Sequence, residues 1–286
     1  MDDPRNAFAA ADTRIVAIYR TQILPLSETF VRDQALALRN WKPVLVGERQ
    51  IDALPLSGLQ VSARYHGAPT LRQRLAGLAW RRLNRPSPAM TCLVGKVGPA
   101  LIHAHFGFDG VEAWPIAQRL AIPLLVTLHG SDVTTRMDWF RAGKAGRRWA
   151  AYPDRLTRLA QEERVHFVAV SENIRQAALA AGLPDSKISV RTIGVDTARF
   201  VHGGEKASLR KRQILFLGRL VEKKGCSYLI EAFRQVRAAL PDAELVVAGD
   251  GPDRAALEAQ AGSEAGVRFV GAVARPQLMF LLQETR

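Results

Sequence analysis

Short runs of apolar residues alternate with amphipathic stretches along the whole chain. Each run has the length of a β-strand, and the stretches between them place apolar residues three or four positions apart, as one face of a helix does. This alternation is typical of parallel sheets that are covered by helices on both faces. It predicts an α/β protein with strands at residues 15–19, 44–46, 100–104, 124–128, 167–170, 188–193, 214–217, 245–248 and 267–270.

The segments between these runs carry helix signals and one clear boundary. Ser171 stands where a helix N-cap would, and Gly182 followed by Pro184 predicts the end of that helix. The polar segment from Asp196 to Arg212 has no strand pattern. We therefore divide the chain into a first domain of residues 1–196, a linker of residues 197–212 and a second domain of residues 213–286. The second domain has few strands for an open sheet, so we expect it to be incomplete.

Composition limits the class of protein. The 286 residues are 48% apolar, which is enough for two modest cores. No apolar run approaches the roughly 18 residues of a membrane-spanning helix, and the first 13 residues are too polar for a secretory signal. We therefore expect a cytoplasmic protein. Cys92 and Cys226 stand far apart, which predicts core or helix residues rather than a disulfide or a zinc site.

The net charge of +13, from 40 Lys and Arg against 27 Asp and Glu, favours polyanionic partners. Arginines interleave with leucines and a tryptophan to predict a basic amphipathic helix that contains Arg72, Arg74, Arg81, Arg82 and Arg85. Such a helix either lies peripherally on an anionic membrane surface or packs on its domain with the arginines in solvent. No stacked-aromatic module or zinc-finger spacing accompanies the charge, so nucleic acid is not an expected partner.

The segment from Ile214 to Gly225 predicts an anion site. An apolar run delivers Arg219 and Lys224 into a turn that ends at Gly225, and an amphipathic helix follows. The free amides of that helix would point at an anion held by the two cations, as in a diphosphate site. An ordinary strand-to-helix turn with solvated cations fits the same spacing.

Two other kinds of site are disfavoured. His103 and His105 share one face of a predicted strand, but a catalytic metal needs a third ligand and none stands at ligand spacing, so we predict no metal. The segment from Tyr19 to Thr29 after the first strand contains no glycine. A nicotinamide-dependent oxidoreductase is therefore a poor interpretation, because it needs a glycine-rich turn there.

Five motifs occur in the order and approximate spacing of a known family. They are Thr127-Leu-His129-Gly130-Ser-Asp132, Val170-Ser171, Gly194-Val195-Asp196 before Phe200, Gly218-Arg219 with Lys224-Gly225, and Gly249-Asp-Gly251-Pro252. The chain thereby resembles glycosyltransferase family 4, the retaining sugar-nucleotide transferases. The segment Leu24-Pro-Leu-Ser-Glu-Thr-Phe30 is similar to a loop of members that build exopolysaccharide or capsular repeat units. The resemblance implies the GT-B fold, with two Rossmann-like, doubly wound parallel-sheet domains.

The resemblance also implies roles for individual residues. Arg219 and Lys224 would bind the donor diphosphate and stabilise the leaving nucleoside diphosphate. His129 would face the donor sugar and its phosphate, although a lone histidine at a strand end is as often structural. Gly225, Gly249 and Gly251 would shape the donor turns, with Pro252 as the first residue of the next helix. An acceptor or phosphate loop would contain Ser27, Glu28, Thr29, His105 and Asp132. No metal or cofactor is implied, because the nucleotide sugar is a substrate.

Three of these residues have a structural alternative. Ser27 or Thr29 would serve equally well as the N-cap of the following helix. Asp132 would either hydrogen-bond an acceptor hydroxyl or cap the segment after it. The sequence leaves both alternatives open.

Two hypotheses for function follow. The first is a retaining glycosyltransferase that moves a sugar from a nucleotide-sugar donor to a lipid-linked surface polysaccharide, with attack on the donor's own face. Family members carry a pair of glutamates that contact the donor beyond the point where this sequence stops at Arg286. The second hypothesis is therefore a C-terminally truncated, catalytically inactive remnant that binds a phosphorylated ligand or a partner.

Overall fold

The computed structural model describes residues 14–51, 54–67, 70, 71, 73, 87–197, 212–262 and 264–284. The chain forms two compact units, Met1–Gly194 and Val195–Arg286, and each has its own sheet. None of the helices in the described ranges is long and apolar enough to cross a membrane. The five arginines of the predicted amphipathic helix and residues 198–211 of the predicted linker lie outside the described residues.

The first unit is built on a parallel sheet of seven strands in the order β3-β2-β1-β4-β5-β6-β7. The strands are β1 Ile15–Ile23, β2 Lys42–Gln50, β3 Gln60–His66, β4 Leu101–His105, β5 Leu124–Leu128, β6 Val165–Ala169 and β7 Ile188–Val190. Its described α-helices are α1 Thr29–Leu36, α2 Pro88–Val97, α3 Gly107–Arg119, α4 Met137–Arg141, α5 Tyr152–Gln161 and α6 Glu172–Ala180. The strand order reverses between β1 and β4, as in a doubly wound sheet.

Both faces of this sheet are covered, as the side chains of strand β1 illustrate. Successive side chains of a strand point to opposite faces. Ala17 and Tyr19 therefore enter the larger core, whereas Val16 and Ile18 enter a second core with helix α1. All four are at most 3% exposed, so the run from Ile15 is apolar without alternation, as expected for a buried parallel strand.

The second unit contains three parallel strands in the order β10-β9-β8, which are β8 Gln213–Leu217, β9 Glu244–Ala248 and β10 Val267–Gly271. Its α-helices are α7 Cys226–Ala239, α8 Arg254–Ala261 and α9 Arg275–Glu284. Leu245 and Val247 pack against α7 and α8, while Val246 and Ala248 pack on the opposite face with Leu281 of α9. The α/β class with two Rossmann-like sheets, the second a small one, is confirmed.

All nine predicted strands are present, but one strand was not predicted. Strand β3 lies at the sheet edge, where none of its residues is buried. Its sequence, Gln-Val-Ser-Ala-Arg-Tyr-His, therefore has no apolar run that would have predicted it. Strand β7 is shorter than predicted and ends at Val190. The predicted cysteine positions are confirmed, because Cys92 lies on α2 and Cys226 is a buried residue at the start of α7.

Helix starts both confirm and correct the sequence predictions. The Ser171 hydroxyl accepts a hydrogen bond from the Ile174 amide at 3.3 Å, which confirms the N-cap of α6. The capping role of Ser27 or Thr29 is wrong, because α1 begins after Glu28 and no side chain caps it. Pro252 is not the first residue of a helix either, because the turn that contains it continues to Asp253 and α8 begins at Arg254.

Candidate functional site

The central strands of the first sheet bring several predicted residues to one edge. Parallel strands end at the same edge, and open α/β sheets bind ligands beside the point where the strand order reverses. His105 is the last residue of β4, and His129 directly follows β5. The segment Leu26–Glu28 forms a short 3-10 turn just beyond β1. The reversal between β1 and β4 lies among these residues.

Arg20, near the end of β1, is a buried cation that joins three elements at this edge. Its guanidinium donates to both carboxylate oxygens of Glu28, with Nε 2.9 Å from Oε2. It also pairs with Asp109 in the first turn of α3 and donates to the backbone carbonyl of His105 at 2.8 Å. The amide of Thr21 donates to the second oxygen of Asp109 at 3.1 Å. Arg20 thus fixes the loop after β1 relative to β4 and α3.

Neither Arg20 nor Asp109 was predicted from the sequence. A signal existed, because Arg20 directly continues an apolar strand and an arginine in such a position needs a partner. Burial raises the pKa of Glu28 and of Asp109, although the Arg20 guanidinium acts on both in the opposite direction. The cluster is therefore a buried ion network in which one cation pairs with two carboxylates.

The loop residues predicted beside Glu28 differ in accessibility. Glu28 is only 7% exposed, and its carboxylate is engaged by Arg20. Ser27 is exposed and Thr29 is partly exposed. Ser27 and Thr29 are therefore accessible to a ligand, whereas Glu28 mainly holds the loop in place through its ion pair with Arg20.

His105 and His129 form a stacked, hydrogen-bonded pair. The Nδ1 of His105 lies 3.0 Å from the Nε2 of His129, and the two ring planes differ by 22°. His129 also lies against the rings of Phe30 and Phe106, with centroids 4.7 and 4.6 Å away. From the sequence we expected His105 itself to contact a ligand, but the structure buries it completely. Only His129 of the pair is partly exposed.

Burial favours the neutral form of both imidazoles of this pair. Burial lowers the pKa of His129 to about 3, and the nearby Arg20 charge acts in the same direction. Burial also lowers the pKa of His105 well below its usual value. His103 lies on the same strand and hydrogen-bonds Thr127, with Nε2 2.7 Å from Oγ1. The described residues contain no group of three or more His, Cys, Asp or Glu side chains placed to hold a metal ion.

Asp132 has a structural role that the sequence did not distinguish. Its carboxylate is fully buried and accepts hydrogen bonds from the amides of Gly130 at 2.8 Å, Gly107 at 2.9 Å and His129 at 3.3 Å. It therefore ties the turn after β5 to the start of α3. This burial argues against direct contact with an acceptor hydroxyl and makes Asp132 a residue that positions His129.

The turn from β4 into α3 is strained. Phe106 has a φ of 68°, in the left-handed region that side chains with a Cβ rarely adopt. The next residue has to be a glycine, because a Cβ at Gly107 would lie 2.3 Å from the Tyr152 hydroxyl oxygen. Strained residues of this kind cluster at functional sites. The Phe106 ring lies near both His129 and the Arg20 guanidinium, which is 4.7 Å from the ring centroid.

A cleft of about 610 Å³ opens beside this network within the first unit. Its lining combines polar residues, which are Arg20, Thr21, Gln22, Glu28 and Asp109, with the aromatic residues Phe106, Phe108, Trp139, Phe140 and Trp149. Ser131, Thr135 and Arg148 also line it. A lining that combines aromatic rings with polar groups is suited to a ligand with both apolar and hydroxyl-bearing faces.

The predicted anion turn of the second unit has the expected local form. Gly225 adopts a left-handed conformation with φ 72° and directly precedes α7. Arg219 and Lys224 are exposed, and within the described ranges neither forms a salt bridge. The first amides of a helix lack intrahelical partners and carry partial positive charge. Two available cations and a helix N-terminus therefore lie in one short segment.

The two predicted glycine turns of this unit pack on each other. A Cβ on Gly249 would lie 1.8 Å from the carbonyl oxygen of Gly218, and one on Gly251 would lie 2.2 Å from that of Leu220. The Leu220 amide donates to the Asp250 carbonyl at 2.9 Å. Close backbone approach thus explains both glycines, and it holds the Arg219 turn against the end of β9.

Comparison with known proteins agrees with this arrangement. Residues 28–199 match the family model described as Glycosyltransferase Family 4, and residues 211–285 match a model described as Glycosyl transferases group 1. A putative teichuronic acid biosynthesis glycosyltransferase, TuaC of Bacillus subtilis, is 34% identical over 170 residues, which are 56% of this chain and 40% of that protein. Glycogen synthase of Mycobacterium tuberculosis is 26% identical over 64% of this chain and 44% of its own length. The matched part thus spans less than half of each curated relative.

Solved structures share the fold. HepE of Anabaena, in a crystal structure with UDP and glucose, has a TM-score of 0.67 and 16% identity, and the match covers 95% of this chain and 72% of that one. Sucrose-phosphate synthase of Thermosynechococcus elongatus has a TM-score of 0.65 and 17% identity, with 95% and 74% coverage. The fold is therefore that of these proteins, and the family model covers more than half of the sequence. The chain belongs to glycosyltransferase family 4.

Proposed function

We propose that the protein is a retaining glycosyltransferase that moves a sugar from a nucleotide-sugar donor to a lipid-linked intermediate of a surface polysaccharide. The observation that carries the proposal is the pair of exposed cations Arg219 and Lys224 just before α7, neither of which forms a salt bridge with a described residue. A leaving nucleoside diphosphate gains negative charge as its bond to the sugar breaks, so permanent cations and helix amides stabilise that transition state. HepE was crystallised with UDP-glucose, which supports a nucleotide-sugar donor for this fold.

The proposed acceptor site is the cleft of the first unit. Aromatic rings such as Trp149 and Trp139 offer flat apolar surfaces to the faces of sugar rings, while Ser131 and Thr135 offer hydroxyls. The surface-polysaccharide assignment is supported by the names of TuaC and of the putative colanic acid glycosyltransferase WcaL of Salmonella typhimurium, which is 25% identical over 63% of this chain and 45% of its own length.

A basic rim beside the cleft supports a lipid-linked acceptor at a membrane surface. The segment from 136 to 149 exposes five cations, which are Arg136, Arg141, Lys144, Arg147 and Arg148. Arg141 pairs with Asp138 and Asp154, and Arg148 lies 4.0 Å from Glu112, but the segment itself carries five cations against the single carboxylate of Asp138. Trp139 is 42% exposed in the same segment. Cations together with an exposed tryptophan favour an anionic lipid–water interface, so we propose peripheral binding there.

Retention of the anomeric configuration is taken from the family resemblance, and it needs either an enzymic nucleophile or attack on the donor's own face. Glu28 and Asp109 are the carboxylates of the cleft, and both are engaged by Arg20, so we assign neither as a nucleophile. We propose that the acceptor hydroxyl attacks from the side of the departing diphosphate. The new glycosidic bond forms as the bond from the sugar to the phosphate oxygen breaks, and that phosphate takes the acceptor proton. No metal takes part in this proposal.

A transfer assay tests the function. The purified chain is incubated with a panel of sugar nucleotides and with glycan acceptors that are either lipid-linked or water-soluble, and the anomeric configuration of the product is read by NMR. Transfer to the lipid-linked acceptor with retained configuration is expected, and inversion would contradict the mechanism. Binding of nucleoside diphosphates without any transfer would instead favour an inactive remnant that binds phosphorylated ligands.

A further inference from the structure

Tyr152, the first residue of α5, contacts both the aromatic lining of the cleft and the turn after β5, and it is only 1% exposed. Its ring packs with three residues that line the cleft, with centroids 4.4 Å from Phe108, 5.2 Å from Phe140 and 6.1 Å from Trp149. Its hydroxyl donates to the backbone carbonyl of Asp132 at 2.9 Å. A single buried side chain therefore joins the aromatic residues to the turn.

The turn after β5 contains two hydroxyl-bearing residues that line the cleft, Ser131 and Thr135. Two backbone hydrogen bonds to the Gly130 carbonyl, both 2.8 Å long, close this turn. The Asp132 carboxylate holds the turn to the start of α3, and the carbonyl of the same residue holds it to α5 through Tyr152. The Tyr152 hydroxyl therefore helps to determine where Ser131 and Thr135 lie relative to the aromatic rings.

The surroundings of the Tyr152 hydroxyl favour a lasting hydrogen bond. Burial raises the pKa of Tyr152 well above its usual value, and the Asp132 charge acts in the same direction, so the hydroxyl keeps its proton and remains a donor. Space around its oxygen is tight, since a Cβ on Gly107 would lie only 2.3 Å away. The glycine at the start of α3 thus leaves the room that this hydrogen bond needs.

We infer that Tyr152 is a positioning residue that sets the spacing between the aromatic rings of the cleft and the hydroxyl-bearing residues Ser131 and Thr135. On the proposed function, on which this part of the inference rests, the ligand is the acceptor glycan. The rings then hold a face of its sugar, while the hydroxyls orient it for transfer. A misplacement of about 1 Å can lower turnover by about 10²-fold, so this spacing matters for catalysis as well as for binding.

Hydrogen exchange of the whole chain, followed amide by amide by NMR, tests the link without any ligand. Tyr152→Phe removes the hydroxyl and keeps the ring. The Asp132 carbonyl loses its partner, so the Val133 and Thr134 amides that close the turn should exchange about 10-fold faster. The amides of β5 should keep their protection. Unchanged exchange in the turn, or an equal acceleration in β5, would overturn the inference.

Thr157→Val is the matched control. The Thr157 hydroxyl donates to the carbonyl of Pro153 at 3.0 Å, and both residues belong to α5. This variant loses a hydroxyl-to-carbonyl hydrogen bond within the helix and keeps the bond from Tyr152 to Asp132. The turn amides should therefore exchange as in the unaltered protein. An acceleration equal to that of Tyr152→Phe would contradict a specific role of Tyr152.

Activity provides a second readout, measured with the acceptor that supports transfer in the assay above. Because Tyr152→Phe keeps the rings but loosens the turn, kcat should fall by about 10- to 100-fold while the KM of the acceptor changes by less than about 3-fold. Thr157→Val should keep the unaltered kcat. An unchanged kcat in folded Tyr152→Phe would contradict the positioning role, whatever its KM. If the unaltered chain transfers no sugar at all, the proposed function fails, while hydrogen exchange still decides whether Tyr152 holds the turn.

Discussion

Arg20 determines the electrostatics of the cleft because it is the common partner of two buried carboxylates. Its side chain is 11% exposed, and those of Glu28 and Asp109 are 10% and 5% exposed. Buried ion pairs of this kind are strongly destabilised when one partner is removed, since an uncompensated charge remains in a medium of low polarity. Arg20 also lies over the Phe106 ring, so it links the ion network to the strained turn that supports His129.

Arg20→Leu should lower the free energy of unfolding of the first unit by about 3–5 kcal/mol. Arg20→Lys should recover part of this loss, because Lys keeps the charge but not the planar fork that reaches both carboxylates. Urea unfolding followed by tryptophan fluorescence provides the measurement, and all five tryptophans lie in the first unit.

Arg175→Leu is the matched control for this experiment. Arg175 forms an exposed network with Glu172 and Asp185, and solvent screens exposed pairs of this kind, so its removal should have little effect on stability. Equal small losses for Arg20→Leu and Arg175→Leu would show that the Arg20 network is not buried in solution.

At the scale of elements, the turns after β8 and β9 form one structure. Gly249 and Gly251, in the turn after β9, leave room for the backbone of the turn after β8. Because the second turn supports the first, its integrity decides where Arg219 and the start of α7 lie.

Gly251→Ala should therefore destabilise the second unit by about 1–3 kcal/mol, because its Cβ would clash with the Leu220 carbonyl. Gly218→Ala is the matched control, since its Cβ would lie 3.8 Å from the nearest atoms of the Phe216 ring, an ordinary contact. Hydrogen exchange of the amides in β8 and β9 reports on this unit. Similar protection in both variants would contradict the packing account.

Sequence patterns predicted nine of the ten described strands and the motif residues, but not the network that joins them. Buried parallel strands such as β5 are apolar throughout, so their position is visible in the sequence alone. The pairing of Arg20 with Asp109 spans 89 positions and depends on which strand ends become neighbours. The burial of His105 and Asp132 likewise depends on packing, so accessible and supporting residues could not be told apart beforehand.

At the scale of the whole molecule, the buried histidines make stability depend on pH. Burial lowers the pKa of His103 to about 4 in the folded protein, against 6.5 for an exposed histidine. Between these values the unfolded chain binds more protons than the folded one, so stability is full above pH 6.5 and falls as the pH drops towards 4. The raised pKa values of Glu28 and Asp109 act in the opposite direction. The effect of His103 is therefore measured as a difference between the unaltered protein and a His103 variant.

The contribution of His103 lowers the free energy of unfolding between pH 7 and pH 5. In His103→Gln this decrease should be smaller by about 2 kcal/mol. Glutamine retains a polar group near Thr127 but does not titrate. Urea unfolding at the two pH values, again followed by tryptophan fluorescence, measures the difference. An unaltered pH dependence in His103→Gln would show that His103 titrates normally in the folded protein.

The central claim is that Arg219 and Lys224 bind the diphosphate of a nucleotide. Isothermal calorimetry with nucleoside diphosphates tests it most directly, with Lys223→Met as the matched control, because Lys223 is an equally exposed lysine next to Lys224. A hydrogen bond to a charged group contributes about 1.5–3 kcal/mol, so Arg219→Met and Lys224→Met should each weaken binding by about 10- to 100-fold. Lys223→Met should change it by no more than about 2-fold, as expected for an exposed charge. Equal affinities in all four proteins, or an equal loss in Lys223→Met, would contradict the claim.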